Sequence, residues 1–159
     1  MNDLLEQLKQ RFANAVLETT TTFGDDCAVI TVASLLEVAQ FLKTDAHMDF
    51  LMDVCAVDYP ERKERFEVVY HFYALSTRKR LRLKVRVTEA NPQVPTLFNL
   101  WKAADWFERE AFDLMGIIFV GHPCLRRLLT YEEFVGHPLR KDYPVNHRQM
   151  IPTPITLMD

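Results

Sequence analysis

The chain has only four glycines, Gly24, Gly116, Gly121 and Gly136, and no two stand close together. A phosphate-cradling loop needs several glycines in a short run, so neither a dinucleotide fingerprint nor a P-loop is present. Serine is scarcer still: Ser34 and Ser76 are the whole set, and neither sits in a nucleophile-elbow context. The three cysteines, Cys27, Cys55 and Cys124, are far apart and odd in number. That excludes a CxxC pair and a disulfide framework, and it points to a reducing compartment. It also excludes an iron–sulfur cluster held by this chain alone, which would need closely spaced thiolates. The longest apolar runs, such as LMGIIFV at 114–120, fall far below the ~20 residues that span a bilayer. The N-terminus, MNDLLEQLKQRF, scatters charges where a signal peptide would be apolar. A net charge of −3 offers no basic stripe for nucleic acid.

What is present suits one soluble domain: 159 residues, 48% apolar and 26% charged. Leu4, Leu5, Leu8, Phe12 and Val16 recur at helical spacing and predict a helix over 3–17. CAVITV, 27–32, reads as a buried strand after the GDD turn. Ser34 and Glu37 form a capping-box pattern for a helix through about Lys43. DFLMDVCAVDYP, 49–60, reads as a strand ending at Asp58-Tyr59-Pro60. FEVVYHFYAL, 66–75, and RLRLKVRV, 80–87, make a hairpin. Its second strand puts Leu81, Leu83, Val85 and Val87 on one face and Arg80, Arg82, Lys84 and Arg86 on a wet one. NPQVP, 91–95, reads as a loop, Thr96 to Ala104 as a short helix, and Trp106 to Met115 as a helix capped by Asp105 and ended by Gly116. IIFV then reads as a short strand. This order favours a small α+β sandwich: an α+β domain over 1–120 and an extended arm over 121–159. The arm's end is apolar yet broken by Pro152 and Pro154, so residues after Pro144 are expected to be disordered in the isolated chain and ordered against a partner.

The arm opens on GHPCLRRLLTYEEFVGHPLRKDYP, 121–144, in which Gly-His-Pro occurs twice. His122, Cys124 and His137 could supply three zinc ligands. Against that stand the missing standard spacing and four nearby cations, Arg126, Arg127, Arg140 and Lys141. On WFEREAFDLMG, 106–116, Phe107, Ala111 and Leu114 form an apolar stripe, with Trp106, Glu110 and Asp113 on another face. Arg109 is spaced to pair with Asp113. Two carboxylates can do acid–base work, but pairing with the downstream cations is the plainer reading.

EREAFDLMGIIFVGHPCLRRLL, 108–129, closely resembles the signature of the 30 kDa subunit of respiratory complex I. Glu108-Arg109-Glu110, Asp113, Leu114-Met115, His122, Arg126 and Leu128-Leu129 carry the likeness. GHPLRKDYP, 136–144, resembles the family's GxPLRKDxP element, and Arg140, Lys141 and Asp142 stand in it. Weaker likeness covers 57–75 and 100–106. The resemblance implies a non-catalytic peripheral-arm subunit of a proton-translocating NADH:quinone (ubiquinone-type) oxidoreductase, at the cytoplasmic side of the bacterial inner membrane. It implies no catalytic residue, cofactor or metal on this chain, with FMN, iron–sulfur clusters and quinone held by other subunits. It implies as partners the quinone-site large subunit (D-type), the cluster-N2 subunit (B-type) and other peripheral-arm subunits. Because the sequence stops at Asp159, the first of these is expected as a separate polypeptide. The alternatives are an equivalent subunit of a membrane-bound hydrogenase or formate hydrogenlyase-type complex, and a free-standing His/Cys metal enzyme.

Within that likeness Pro123 and Pro138 make each Gly-His-Pro a rigid corner. Arg126, Arg127, Arg140 and Lys141 are expected to point back to Glu108, Glu110 and Asp113, or outward to a partner's acidic groups. The stretch thus reads as a charge-latched arm.

Overall fold

The computed structural model describes residues 4–150. Leu4, Leu5 and Leu8 form the buried side of α1 (Leu4–Arg11), which stops well before residue 17. The chain then turns through 12–15, where Ala15 N–H and Val16 N–H both donate to the Phe12 carbonyl, and enters β1 (Val16–Thr22). Four consecutive β-branched threonines, 19–22, favour a strand, and the helical spacing of Val16 had masked it. A tight turn at Phe23 and Gly24, both at positive φ, returns the chain into β2 (Asp25–Ile30).

A 3₁₀ turn over Val32–Ser34 leads into α2 (Leu35–Thr44). Ser34 makes no capping bond; its hydroxyl lies 3.2 Å from the Thr31 hydroxyl instead, so the expected capping box does not form. β3 (Phe50–Asp58), β4 (Phe66–Tyr73) and β5 (Arg80–Val87) follow, giving a five-stranded sheet in the order β1-β2-β5-β4-β3. Only β2 and β5 are parallel. Cross-strand partners Phe66/Val87, Val68/Val85, Tyr70/Leu83 and Phe72/Leu81 all face the core, which α1 and α2 cover. Fully burying each such side chain contributes roughly 1.5–3 kcal/mol.

The opposite face carries the cationic row of β5, together with counter-ions that the sequence left unassigned. Lys84 Nζ meets Glu67 Oε1 at 2.8 Å, and Arg86 Nη1 meets Glu18 Oε1 at 2.8 Å. Glu67 is itself buried between them.

Residues 93–95, expected as loop, form β6 (Gln93–Pro95), which pairs in parallel with β7 (Ile118–Val120). The helix expected over Thr96 to Ala104 does not form before α3 begins at Ala104; Leu100 and Trp101 N–H both bond the Leu97 carbonyl in a single turn. Trp101 seats there on Phe72, with its indole N–H on the Met48 carbonyl at 3.1 Å. α3 (Ala104–Met115) starts one residue before Asp105, so Asp105 lies in its first turn and is not its cap. α3 packs against β3. Residues 121–150 run on in turns and bends, with no helix or strand.

Candidate functional site

α3 turns charge inward. Glu108 and Asp113 are fully buried and Arg109 nearly so, beside Ala104, Ala111 and Met115. This corrects the expected face of Trp106, Glu110 and Asp113, of which Asp113 is core. Glu108 accepts from Thr96 Oγ1 at 2.5 Å and from Leu97 N–H at 2.7 Å, fixing the bend between β6 and α3. Among the described residues no lysine or arginine pairs with it, and burial pushes its carboxyl up to about 7 against the pull of those two bonds. The nearest basic group is His122, whose side chain is wholly buried. Its Nε2 lies 3.3 Å from Asp105 Oδ1 and 4.0 Å from Glu108 Oε2, and its Nδ1 accepts from Cys124 N–H at 3.1 Å.

Asp113 is the arm's first anchor. One carboxylate oxygen accepts from the backbone N–H groups of Leu128, Leu129 and Thr130, at 3.0, 2.7 and 2.8 Å. The other accepts from the Thr130 hydroxyl and from Arg127 Nη1, the latter at 2.8 Å. Burial alone would raise this carboxyl's pKa. The bonds from Thr130, Leu129 and Arg127 outweigh burial and hold it well below the usual carboxylate range. Arg109 does not pair with Asp113; it donates to the carbonyls of Arg126 at 3.2 Å and Arg127 at 3.4 Å, and it stacks on Trp106.

The second anchor is the C-terminus of α3, whose last carbonyls have no partner inside the helix. His137 Nδ1 meets the Asp113 carbonyl at 2.9 Å, Leu139 N–H the Leu114 carbonyl at 3.1 Å, and Arg140 Nε the Met115 carbonyl at 2.8 Å. The Arg140 cation there also opposes the negative end of the helix dipole and lies over the Phe66 ring. Gly116 makes this possible. It holds φ +76°, and a Cβ on it would come within 2.4 Å of Arg140 Nη2 and 2.6 Å of His137 Nε2.

A third anchor lies on β3 and the segment leading into β4. Asp58 and Arg65 form a two-point pair at 2.7 and 2.9 Å. Arg65 reaches on to Glu89 at 2.7 Å and to Asp142 at 2.9 Å, while Asp58 accepts from Lys141 N–H at 2.7 Å. The Arg65 guanidinium holds the Asp58 and Asp142 carboxyls below their ordinary pKa.

Three anchors thus hold the arm against α3 and the β3–β4 connection, with His122 beside the first turns of the helix and His137 at its C-terminus. The family model described as "Respiratory-chain NADH dehydrogenase, 30 Kd subunit" matches residues 28–149, which include every one of these groups. The chain belongs to that family.

Relatives bear this out over nearly the whole length. The C subunit of NADH-quinone oxidoreductase from Roseiflexus sp. is 44% identical over 92% of this chain and 86% of its own. A C/D subunit of the same oxidoreductase from Bdellovibrio bacteriovorus is 45% identical over 91% of this chain but only 26% of its own. A trypsin-resistant fragment of Nqo5 superposes with a TM-score of 0.69 at 32% identity, covering 77% of this chain and 98% of the fragment. An archaeal membrane-bound sulfane sulfur reductase shares the fold alone, at 19% identity and a TM-score of 0.77.

The signature residues of this 30 kDa family therefore divide by what they touch. Arg127 is the one latch cation that meets an α3 carboxylate; Arg140 and Lys141 are corrected to a helix-capping bond and a backbone bond to Asp58. Arg126 offers α3 its carbonyl, with its side chain exposed, as are Glu110, Pro123 and Asp142. His122, Cys124 and His137 do not converge: among the described residues the one metal-competent group is Asp53, Cys55 and His71. Sequence reasoning missed Asp58, Arg65, Thr96 and Thr130 as anchors. The run VDYPERKERF, 57–66, was the available signal for the first two, because a charge-dense turn between strands must pair its ions somewhere.

The end of the arm is also tied. The Gln149 side chain accepts from Val135 N–H at 2.9 Å and donates to the Val135 carbonyl and to the Tyr143 hydroxyl oxygen, each at 2.7 Å. Within 145–150 Gln149 thus has intramolecular partners, Val135 and Tyr143, while 151–159 lie outside the described residues. On the outer side of the arm, Leu129, Val135, Leu139, Val145 and Met150 are exposed.

Proposed function

We propose that this chain acts as a non-catalytic scaffold within NADH:quinone oxidoreductase, respiratory complex I, and that residues 121–159 form its partner-binding arm. The carrying observation is that buried Asp113 and Arg65, with the C-terminus of α3, hold a segment without helix or strand whose apolar side chains face outward. An anchored segment with exposed leucine, valine and methionine is a docking surface. Its half-buried cations Arg127 and Arg140 hold it to α3, which suits a positioning role.

The partner we assign is the D-type large subunit that carries the quinone site. The Bdellovibrio relative, whose name joins C and D, supports this: this chain matches only 26% of its length, which leaves room for a joined D part. A cluster-bearing B-type subunit and other peripheral-arm subunits complete the surroundings. FMN, iron–sulfur clusters and quinone sit on those other subunits. The chain meets the cytoplasmic face of the inner membrane through the complex, and no described helix is long and apolar enough to cross one.

Arg140→Ala should lower the amount of assembled complex on native gels and lower NADH:quinone turnover in the same proportion. Lys9→Ala, at an exposed position on α1, should leave both unchanged. Intact assembly with abolished turnover in Arg140→Ala would overturn the scaffold reading.

A further inference from the structure

The open face of the sheet carries a second constellation, unrelated to the arm. β3 has a bulge between Leu51 and Asp53, where Leu51 pairs with Phe72 and Asp53 with His71, leaving Met52 as the extra residue. In a regular strand Asp53, two residues on, would share the core face of Leu51; the bulge turns Asp53 to the outer face, and Cys55, two further on, follows it. His71 stands directly across the ladder from Asp53. The three side chains are half-buried, and their ligand atoms all lie within 4.8 Å of one another.

We propose that Asp53, Cys55 and His71 bind one zinc ion on the outer face of the sheet. Two ligands at i and i+2 on one strand and a third on its neighbour point from the same side of a rigid ladder, so the backbone need not move to bind. Bonds of ~2.0–2.3 Å draw the three atoms inward from their present spread, which side-chain rotation on fixed strands supplies. The donor set selects the metal. One thiolate, one imidazole and one carboxylate suit zinc, whereas magnesium and calcium need oxygen ligands throughout. Charge agrees: carboxylate and thiolate together offset the dication. That offset is needed, because Arg82 pairs with His71 from the other side and Lys84 is its neighbour on β5. Three protein ligands leave the fourth position to water. The absence of a standard ligand spacing in the sequence says nothing against such a site, since cross-strand register brings its members together.

The test uses the full chain, stripped with chelator under reducing conditions and titrated with zinc against a chromophoric chelator. One ion should bind per chain, and Cys55→Ser and His71→Gln should each weaken it by on the order of 100-fold. Cobalt should give the near-ultraviolet band of thiolate ligation. Zinc should also raise the melting temperature of the parent chain and not of the variants. Zinc should shield Cys55 from alkylation while exposed Cys124 goes on reacting, a readout that needs no variant and so survives one that fails to fold. Absence of stoichiometric binding, unaltered affinity in both variants, or full alkylation of Cys55 with zinc present would each overturn the proposal.

Discussion

Arg140 donates from Nε to the Met115 carbonyl at 2.8 Å and meets none of the carboxylates of α3. A guanidinium that caps a helix holds the arm by geometry as much as by charge. Arg140→Lys should therefore fail to restore what Arg140→Ala removes, because an ammonium has neither the planar fork nor the face that lies over Phe66. Complex assembly measured for both variants checks this: recovery by lysine would show that charge alone suffices.

Asp113→Ala should cost the isolated chain about 3–5 kcal/mol, since it strands Arg127 and three backbone N–H groups at once. Urea unfolding measures it. A loss below ~1 kcal/mol would mean that water replaces the carboxylate freely.

The amide protons of Leu129 and Thr130 should exchange slowly although they lie in no helix or strand, because both end on the buried Asp113 carboxylate. In Asp113→Ala they should exchange at the rate of an open loop. Fast exchange in the parent chain would show that this anchor opens readily.

Glu108 sets a pH dependence whose sign is opposite to that of the other buried carboxylates. Its folded pKa, about 7, lies above the ordinary 4.5, so the stability it contributes is present below 4.5 and is lost as pH rises through 7. Asp58 and Asp113 are depressed, and their contributions are lost instead as pH falls past the ordinary 3.8. His137, depressed mainly by burial, also loses stability as pH falls, through the region below 6.5, and would partly hide the Glu108 slope. Comparison with Glu108→Gln removes that overlap. The parent chain should lose stability relative to the variant between about pH 5 and 8, read by thermal melts; parallel profiles would contradict the burial account.

Arg65→Met alone should destabilise strongly by leaving Asp58 buried without its partner, while Arg65→Met with Asp58→Leu should recover much of the loss. The double variant should still weaken assembly, because Asp142 and Lys141 lose their attachment. Equal assembly in the parent and the double variant would remove this anchor from the proposal.

The residues that sequence determined are those whose signal is local. The alternation in RLRLKVRV fixes which face of β5 is core, because successive side chains on a strand must point to opposite sides. The end of α3 was equally legible, since Gly116 supplies a left-handed conformation that other residues resist. The Gly-His-Pro corners and their cations announced that the arm is held, and the signature around Glu108 to Leu129 announced the family. Tertiary structure alone decided what does the holding. Asp113 spends its carboxylate on backbone N–H groups of residues 128–130, and every residue there has such a group whatever its side chain, so no pattern marks them. Asp58, Arg65 and Asp142 meet because β4 returns along β3 and the arm returns to both. Asp53, Cys55 and His71 share a face because one extra residue in β3 reverses the pleat. Spacing along a chain encodes neighbours within one element; which elements lie side by side is settled by burial of the common core, and long-range polar partners follow from that.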